Sequence, residues 1–234
     1  DKKISNSYRL CGIGESYAEE LIFHLYERYP QLNIAPYCTL EHVDYIVSTL
    51  DCYEDELRTF DQEFKEIMKD YYIGNQNTNL AEEIVHLLTE KNLKIATAES
   101  CSGGLLSSTL VNVSGASNVF LEGIVTYSYE SKLNRLNIDV DRLMQFGAVS
   151  EEIAHDMALN LQSLTGADVT VSITGIAGPG GGSELKPVGL VYIAINVCGQ
   201  IFVKSYILNG NREKIRRLTV AKALYWLHHY IKAL

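Results

Sequence analysis

The chain has 234 residues, more than one minimal domain requires, with a net charge of −9 and a pI of about 5.2. At 47% hydrophobic and 21% charged residues it has the composition of a protein that buries a real core, while its acidity excludes a nucleic-acid partner held by a basic patch. Its longest apolar stretch, Leu190 to Cys198, is too short to span a bilayer.

The first part reads as a small α+β (KH-like) unit. Tyr8 to Cys11 predicts a short strand, and Gly14-Glu15-Ser16 opens a helix with Leu21, Ile22, Leu25 and Tyr26 on one face. Strands follow near Ile34–Thr39 and His42–Leu50, then a helix from about Glu54 to Asp70 with Leu57, Phe60, Phe64, Ile67 and Met68 at helical spacing. The turn-rich string Ile73 to Asn79 marks a domain boundary, giving an acidic domain over 1–73, a linker over 74–79 and a second domain over 80–234. Charge changes across it: residues 1–73 hold 7 Lys+Arg against 15 Asp+Glu, the remainder 13 against 14.

The second part alternates helix and strand. Thr78 or Asn79 caps a helix with Leu80, Ile84, Leu87 and Leu88 on its apolar face, and Lys94–Ala98 is a strand. A turn from Glu99 to Gly104 leads into a helix through Leu105, Leu106, Leu110 and Val111. Gly123–Tyr127 is the next strand, followed by a helix with Lys132, Leu133 and Leu136, and a second helix runs from Ser150 to Gly166. Val169, Val171 and Ile173 alternate along a strand, and a glycine-rich loop follows. Strands Gly189–Val197 and Ile201–Leu208 meet at Gly199, and a last helix starts near Asn211. The expected class is α/β, with helices packed on a mixed β-sheet because the last strand pair is a hairpin.

The five cysteines are odd in number and include no C-x-x-C pair, as expected of reduced cytosolic thiols. The six histidines are scattered without H-E-x-x-H, so no metal site and no cofactor are expected. No signal peptide is expected, and an opening Asp1-Lys2-Lys3 without Met is expected of a fragment or a processed chain. The chain is expected to be cytoplasmic, a homo-oligomer, and free of membrane and nucleic-acid partners.

Four segments carry chemistry. Ala98-Glu99-Ser100-Cys101-Ser102-Gly103-Gly104 lies between a strand end and a helix start, where open α/β sheets place ligands and where free N–H groups suit an oxyanion or phosphate. Its three hydroxyl and thiol nucleophiles stand in a row and spacing does not rank them; the plain alternative is a cap of small polar residues. Val125 to Lys132 also follows a strand end, and Tyr127 and Lys132 can both point toward Ser100, with an ordinary exposed lysine as the alternative. Thr174 to Ser183 is no Walker A loop, yet five glycines in eight residues are costly to order and favour a substrate-facing nest over a flexible loop. Gly210-Asn211-Arg212 puts Arg212 at a helix start, against the dipole unless it meets an anion, whereas Arg216 and Arg217 read as a solvated basic face.

Together these strings resemble the C-terminal domain of the CinA (competence- and damage-inducible) family, the nicotinamide mononucleotide deamidases. The resemblance rests on Thr97 to Gly104, Val125 to Ser128, Gly147 to Glu152, and Thr174 to Ser183 with Lys186-Pro187-Val188-Gly189, and covers about Leu80 to Leu234. Cys11 to Ser16 more weakly resembles the family's middle domain. The resemblance implies hydrolysis of the carboxamide of a pyridine nucleotide, giving nicotinate mononucleotide and ammonia. It implies Ser100 as nucleophile, Lys132 and Tyr127 as aids to its proton transfer, and Arg212 with Gly103, Gly104, Thr174, Gly178, Gly180 and Gly181 as substrate-binding residues. Backbone N–H groups at the helix start after Ser100 are expected to hold the oxyanion. The chain departs from the family pattern at Ser102 (usually Thr), Tyr129 (usually Asn) and Asn211 (usually Asp). Two alternatives are a catalytically silent nucleotide-binding regulatory module and a thiol enzyme using Cys101.

Overall fold

In the computed structural model, which describes residues 2–234, the chain divides after Asn79 into two units. The first contains β1 (Lys3–Leu10), α1 (Glu15–Arg28), β2 (Asn33–Cys38), β3 (Val43–Leu50), α2 (Glu54–Ile67) and β4 (Tyr72–Gly74). Its strands lie in the order β2-β3-β1-β4, all neighbours antiparallel, which is the β-α-β-β-α-β split arrangement. One sheet face is covered by helices: Tyr8 and Tyr45 from the strands meet Leu57, Phe60 and Phe64 from α2 and Ile22 and Leu25 from α1. The Tyr8 and Phe64 rings lie 4.6 Å apart, and each such buried ring contributes roughly 2–3 kcal/mol.

Two expectations change here. The first strand is not confined to Tyr8–Cys11; pairing runs from Lys3↔Leu50 to Leu10↔Val43, because backbone hydrogen bonds carry the polar Ser5-Asn6-Ser7 stretch into the ladder. The string read as a linker begins inside a strand, since β4 ends at Gly74, and its Thr78 carbonyl accepts from Arg9 Nη1 at 2.8 Å.

The second unit contains α3 (Leu80–Glu90), β5 (Ile95–Glu99), α4 (Leu105–Val111), β6 (Phe120–Val125), α5 (Tyr129–Leu136), α6 (Val140–Phe146), α7 (Glu151–Thr165), β7 (Val169–Gly175), β8 (Leu190–Val197), β9 (Gln200–Ile207) and α8 (Arg212–Lys232). The sheet order is β6-β5-β7-β8-β9. β5 is parallel to β6 and β7, while β7–β8 and β8–β9 are antiparallel. Alternation assigns the faces. Ile95, Val169, Val171 and Ile173 pack with Ile84, Leu88, Leu106, Leu110 and Leu224 of α3, α4 and α8. Ala96 and Ala98 face Leu136, Leu143, Ile153 and Met157 of α5, α6 and α7.

The polar side chains of β7 join strand to helix. Thr170 Oγ1 donates to Ala158 O at 2.7 Å and Ser172 Oγ to Ala154 O at 2.6 Å. Small alanines on α7 let these short hydroxyls reach the helix carbonyls.

Two further elements differ from the sequence reading. β6 ends at Val125 rather than Tyr127, because Ser128 accepts from Ser131 N and starts α5. The short α6 had no strong apolar period; its Asp139 cap, accepting from Arg142 N, and one buried leucine, Leu143, define it. Among the described residues, no helix is long and apolar enough to cross a membrane.

The chain leaves β5 for β6 on one side and later returns to β7 on the other. The carboxyl ends of β5, β6 and β7 therefore meet at a topological switch point, where open α/β sheets leave a crevice.

Candidate active site

That crevice is a cavity of about 240 Å³ lined by Ser100 and Cys101 after β5, Tyr127 and Lys132 around the start of α5, Ala148 and Val149 before α7, the loop from Thr174 to Gly181, and Arg212. Ser100 is held at the end of β5 by its own N–H, which donates to Ile173 O at 2.9 Å. The next turn is tight, with Gly103 N donating to Ser100 O at 3.0 Å. Gly103 and Gly104 have φ of +60° and +93°, a left-handed bend that a side chain would resist.

Lys132 lies one helical turn past the Ser128 cap and points into the protein beside Leu136, only 1% exposed. Its Nζ is 3.1 Å from Ser100 Oγ, 2.7 Å from Thr126 O and 3.3 Å from Tyr127 O. Burial pushes Lys132 down to about 8, because the ammonium form loses hydration there. The two carbonyls can only accept. A neutral amine must give them its two N–H bonds, so its lone pair faces the Ser100 hydroxyl.

The three side chains of this row stand in different surroundings. Ser100 has a basic partner. Burial pushes the Cys101 thiol up to about 11, which keeps it protonated and poorly nucleophilic. Ser102 Oγ is fully buried and has no hydrogen-bond partner among the described residues.

Glu99, fully buried, takes a role that the sequence did not reveal. Its carboxylate accepts from Gly104 N, Leu106 N and Ser107 N at 3.1, 3.0 and 2.7 Å, and from Ser107 Oγ at 2.7 Å. The start of α4 is thus occupied by the protein's own carboxylate, which satisfies the orphan donors and the dipole. The expected oxyanion site at that helix start is corrected accordingly. Of the turn's N–H groups, those of Cys101 and Ser102 donate to no backbone carbonyl among the described residues and lie against the Cys101 sulfur, and of the two residues Cys101 lines the cavity. Gly103 and Gly104 also stand apart from the cavity wall: they shape the turn and do not line the pocket.

The other sequence candidates fall around the opening. Tyr127 is 59% exposed, and its hydroxyl accepts from Arg212 Nη2 at 3.0 Å rather than meeting Ser100. Arg212 Nη1 donates to Gly178 O at 2.8 Å, so the arginine bridges Tyr127 and the glycine loop. Thr174 Oγ1 donates to Ala148 O at 2.7 Å and ties the segment before α7 to β7. Gly178, Gly180 and Gly181 line the cavity. Arg216, read as part of a solvated face, instead donates to Ser102 O at 2.9 Å.

Two departures from the family pattern find local partners. Asn211 caps α8 by accepting from Lys214 N at 2.9 Å, as an aspartate would. The Tyr129 hydroxyl accepts from Ala148 N at 3.3 Å. Among the described residues no carboxylate lines the cavity, and its basic groups are Lys132 and Arg212, an arrangement suited to an anionic ligand. Among the described residues, no group of three or more His, Cys, Asp or Glu side chains is placed to hold a metal ion.

A model of the CinA C-terminal domain matches residues 77–231. A putative competence-damage inducible protein of Clostridium botulinum (strain Langeland) is 40% identical over 232 residues, covering 97% of this chain and 57% of that protein. One from Clostridium tetani is 42% identical over 228 residues, covering 96% and 56%. The chain therefore spans somewhat more than half the length of these curated relatives. Among solved structures, the competence/damage inducible protein CihA of Agrobacterium tumefaciens matches with a TM-score of 0.62 at 40% identity, over 63% of this chain and 91% of that one. A CinA superfamily protein of Klebsiella pneumoniae matches with a TM-score of 0.64 at 32% identity, over 66% and 97%.

Proposed function

Since the chain belongs to the CinA family, we propose that its second unit is an amidohydrolase that converts nicotinamide mononucleotide and water to nicotinate mononucleotide and ammonia. The observation that carries this reading is the buried pair of Ser100 Oγ and Lys132 Nζ, 3.1 Å apart at a cavity without carboxylates. A serine needs a base to attack an amide, and a lysine near neutrality can serve.

Neutral Lys132, held by Thr126 O and Tyr127 O, accepts the Ser100 proton as Ser100 Oγ attacks the carboxamide carbon. The Cys101 N–H, on a residue of the cavity wall, receives the developing oxyanion. Lys132 then returns the proton to the departing nitrogen, and the C–N bond breaks to release ammonia. A water enters, gives its proton to Lys132 and attacks the acyl-enzyme ester. Ser100 leaves with that proton, and the acid product gives the water's second proton to solvent and departs as a carboxylate. Arg212 and the peptide N–H groups of the glycine loop bind the nucleotide phosphate. This division of labour gives Tyr127 a binding role through Arg212 instead of a share in proton transfer.

The test is mass spectrometry of nicotinamide mononucleotide incubated with the pure chain, alongside an ammonia assay. Stoichiometric nicotinate mononucleotide and ammonia are expected. Tight binding of the nucleotide without turnover would replace the enzyme with the silent regulatory module.

A further inference from the structure

Arg216 lies one helical turn beyond Arg212 on α8, so both side chains emerge on one face. Arg212 reaches Gly178 O and the Tyr127 hydroxyl, and Arg216 reaches Ser102 O. The start of α8 thereby fastens three separate segments: the turn after β5, the approach to α5 and the loop after β7. Gly103 belongs to the same fit, since a Cβ there would stand 3.4 Å from Arg216 Nη2 on a backbone with φ of +60°.

The Ser102 carbonyl deserves a cation for a structural reason. Glu99 draws in the N–H groups of Gly104, Leu106 and Ser107, leaving the short stretch from Ser100 to Gly103 to be held by its own turn bonds. Leu105 N reaches Ser102 O at 3.2 Å, while Arg216 reaches it at 2.9 Å with a charged donor. The Ser102 carbonyl belongs to the peptide adjoining the one that bears the Ser102 N–H. Anchoring the first therefore limits rotation of the second.

We infer that Arg216 is a positioning residue for the Ser100 turn, its guanidinium fixing the Ser102 carbonyl and, through the turn, the placement of Ser100 Oγ beside Lys132 Nζ. The inference rests on the proposed serine chemistry but not on the identity of the substrate. Arg216 touches no reacting atom. It acts through the backbone, and errors of about 1 Å in such a site can cost about 100-fold in rate.

The experiment compares the full chain with Arg216→Gln and Arg216→Lys, reading three quantities: kcat and KM with nicotinamide mononucleotide, the rate at which a fluorophosphonate labels Ser100, and the melting temperature. Arg216→Gln is expected to lower kcat roughly 10- to 100-fold with KM little changed, and to slow Ser100 labelling in parallel. Arg216→Lys, which keeps a cation within reach of one carbonyl, is expected to recover most of both rates. A fall in melting temperature with the labelling rate per folded molecule unchanged in Arg216→Gln would overturn the inference, as that is what a purely structural contact predicts. If the wild-type chain labels at Ser100 but leaves the nucleotide intact, the substrate assignment fails; an Arg216-dependent labelling rate then still upholds the inference. A Ser100 inert to both reagents overturns both.

Discussion

The proposed base can be tested through its proton. A lysine held at about 8 instead of 10.5 has its ammonium form disfavoured by about 3 kcal/mol. At pH 7 about a tenth of Lys132 is then neutral, against less than about one part in a thousand for an exposed lysine. The rate kcat/KM should rise about tenfold per pH unit on the acidic side and level off near pH 8. The same shift sets a stability signature. Below pH 8 the lysine is protonated in both folded and unfolded chains, and the folded chain bears the full penalty. Between about 8 and 10.5 the unfolded chain holds the extra proton, so stability rises with pH. Above 10.5 the penalty is gone. Lys132→Met removes it at every pH while leaving the Thr126 and Tyr127 carbonyls without their donor. The difference in unfolding free energy between wild type and Lys132→Met should therefore move by about 3 kcal/mol in favour of the wild type between pH 7 and pH 10.5. Urea denaturation at the two pH values measures this, because titration of other groups cancels in the difference. Lys132→Arg should be nearly inactive, since guanidinium stays protonated. A rate profile without an inflection near pH 8, together with a pH-independent stability difference, would refute the assignment of Lys132 as base.

Three further outcomes are expected. Ser100→Ala should abolish ammonia release while Cys101→Ala keeps most of it, and iodoacetamide should be slow at pH 7 because a thiol at about 11 is thiolate in only about one molecule in ten thousand; loss of activity in Cys101→Ala alone would reverse the choice of nucleophile. Arg212→Ala should cost about 1–2 kcal/mol of kcat/KM, the modest end for an exposed charge-assisted contact, and nicotinamide riboside, which lacks the phosphate, should react poorly with wild type and show little further loss in the variant; equal wild-type rates on riboside and nucleotide would remove phosphate reading from the site. Tyr127→Phe should retain kcat within about threefold, as expected for loss of one hydrogen bond to Arg212, whereas a fall beyond about 100-fold would restore the tyrosine to proton transfer.

The sequence by itself carried the architecture of the second unit and the neighbourhood of the site. Apolar residues at period two over Val169 to Ile173 and at helical spacing on α3 are local patterns, and the helix starts at Ser150 and near Asn211 are local chemistry. Each reports its element without knowledge of the rest of the chain. The resemblance carried by the four segments together similarly pointed to Ser100, Lys132 and Arg212 before any packing was known. What only the tertiary structure decided were relations between residues far apart in the chain. Polar Ser5-Asn6-Ser7 joins a strand because β3 pairs with it, and α6 persists because Leu143 is buried among Ile153 and Met157. Spacing alone left Ser100 level with Cys101 and Ser102, and only the fold shows Lys132 Nζ beside the Ser100 hydroxyl from 32 positions away. Glu99 had no assigned role and Arg216 read as a solvated face, since nothing in their own segments shows that one folds back onto the α4 N–H groups and the other reaches Ser102 from α8. A carboxylate, an ammonium and a guanidinium take their roles from the partners that desolvation makes them find, and those partners are set by the fold rather than by neighbouring letters.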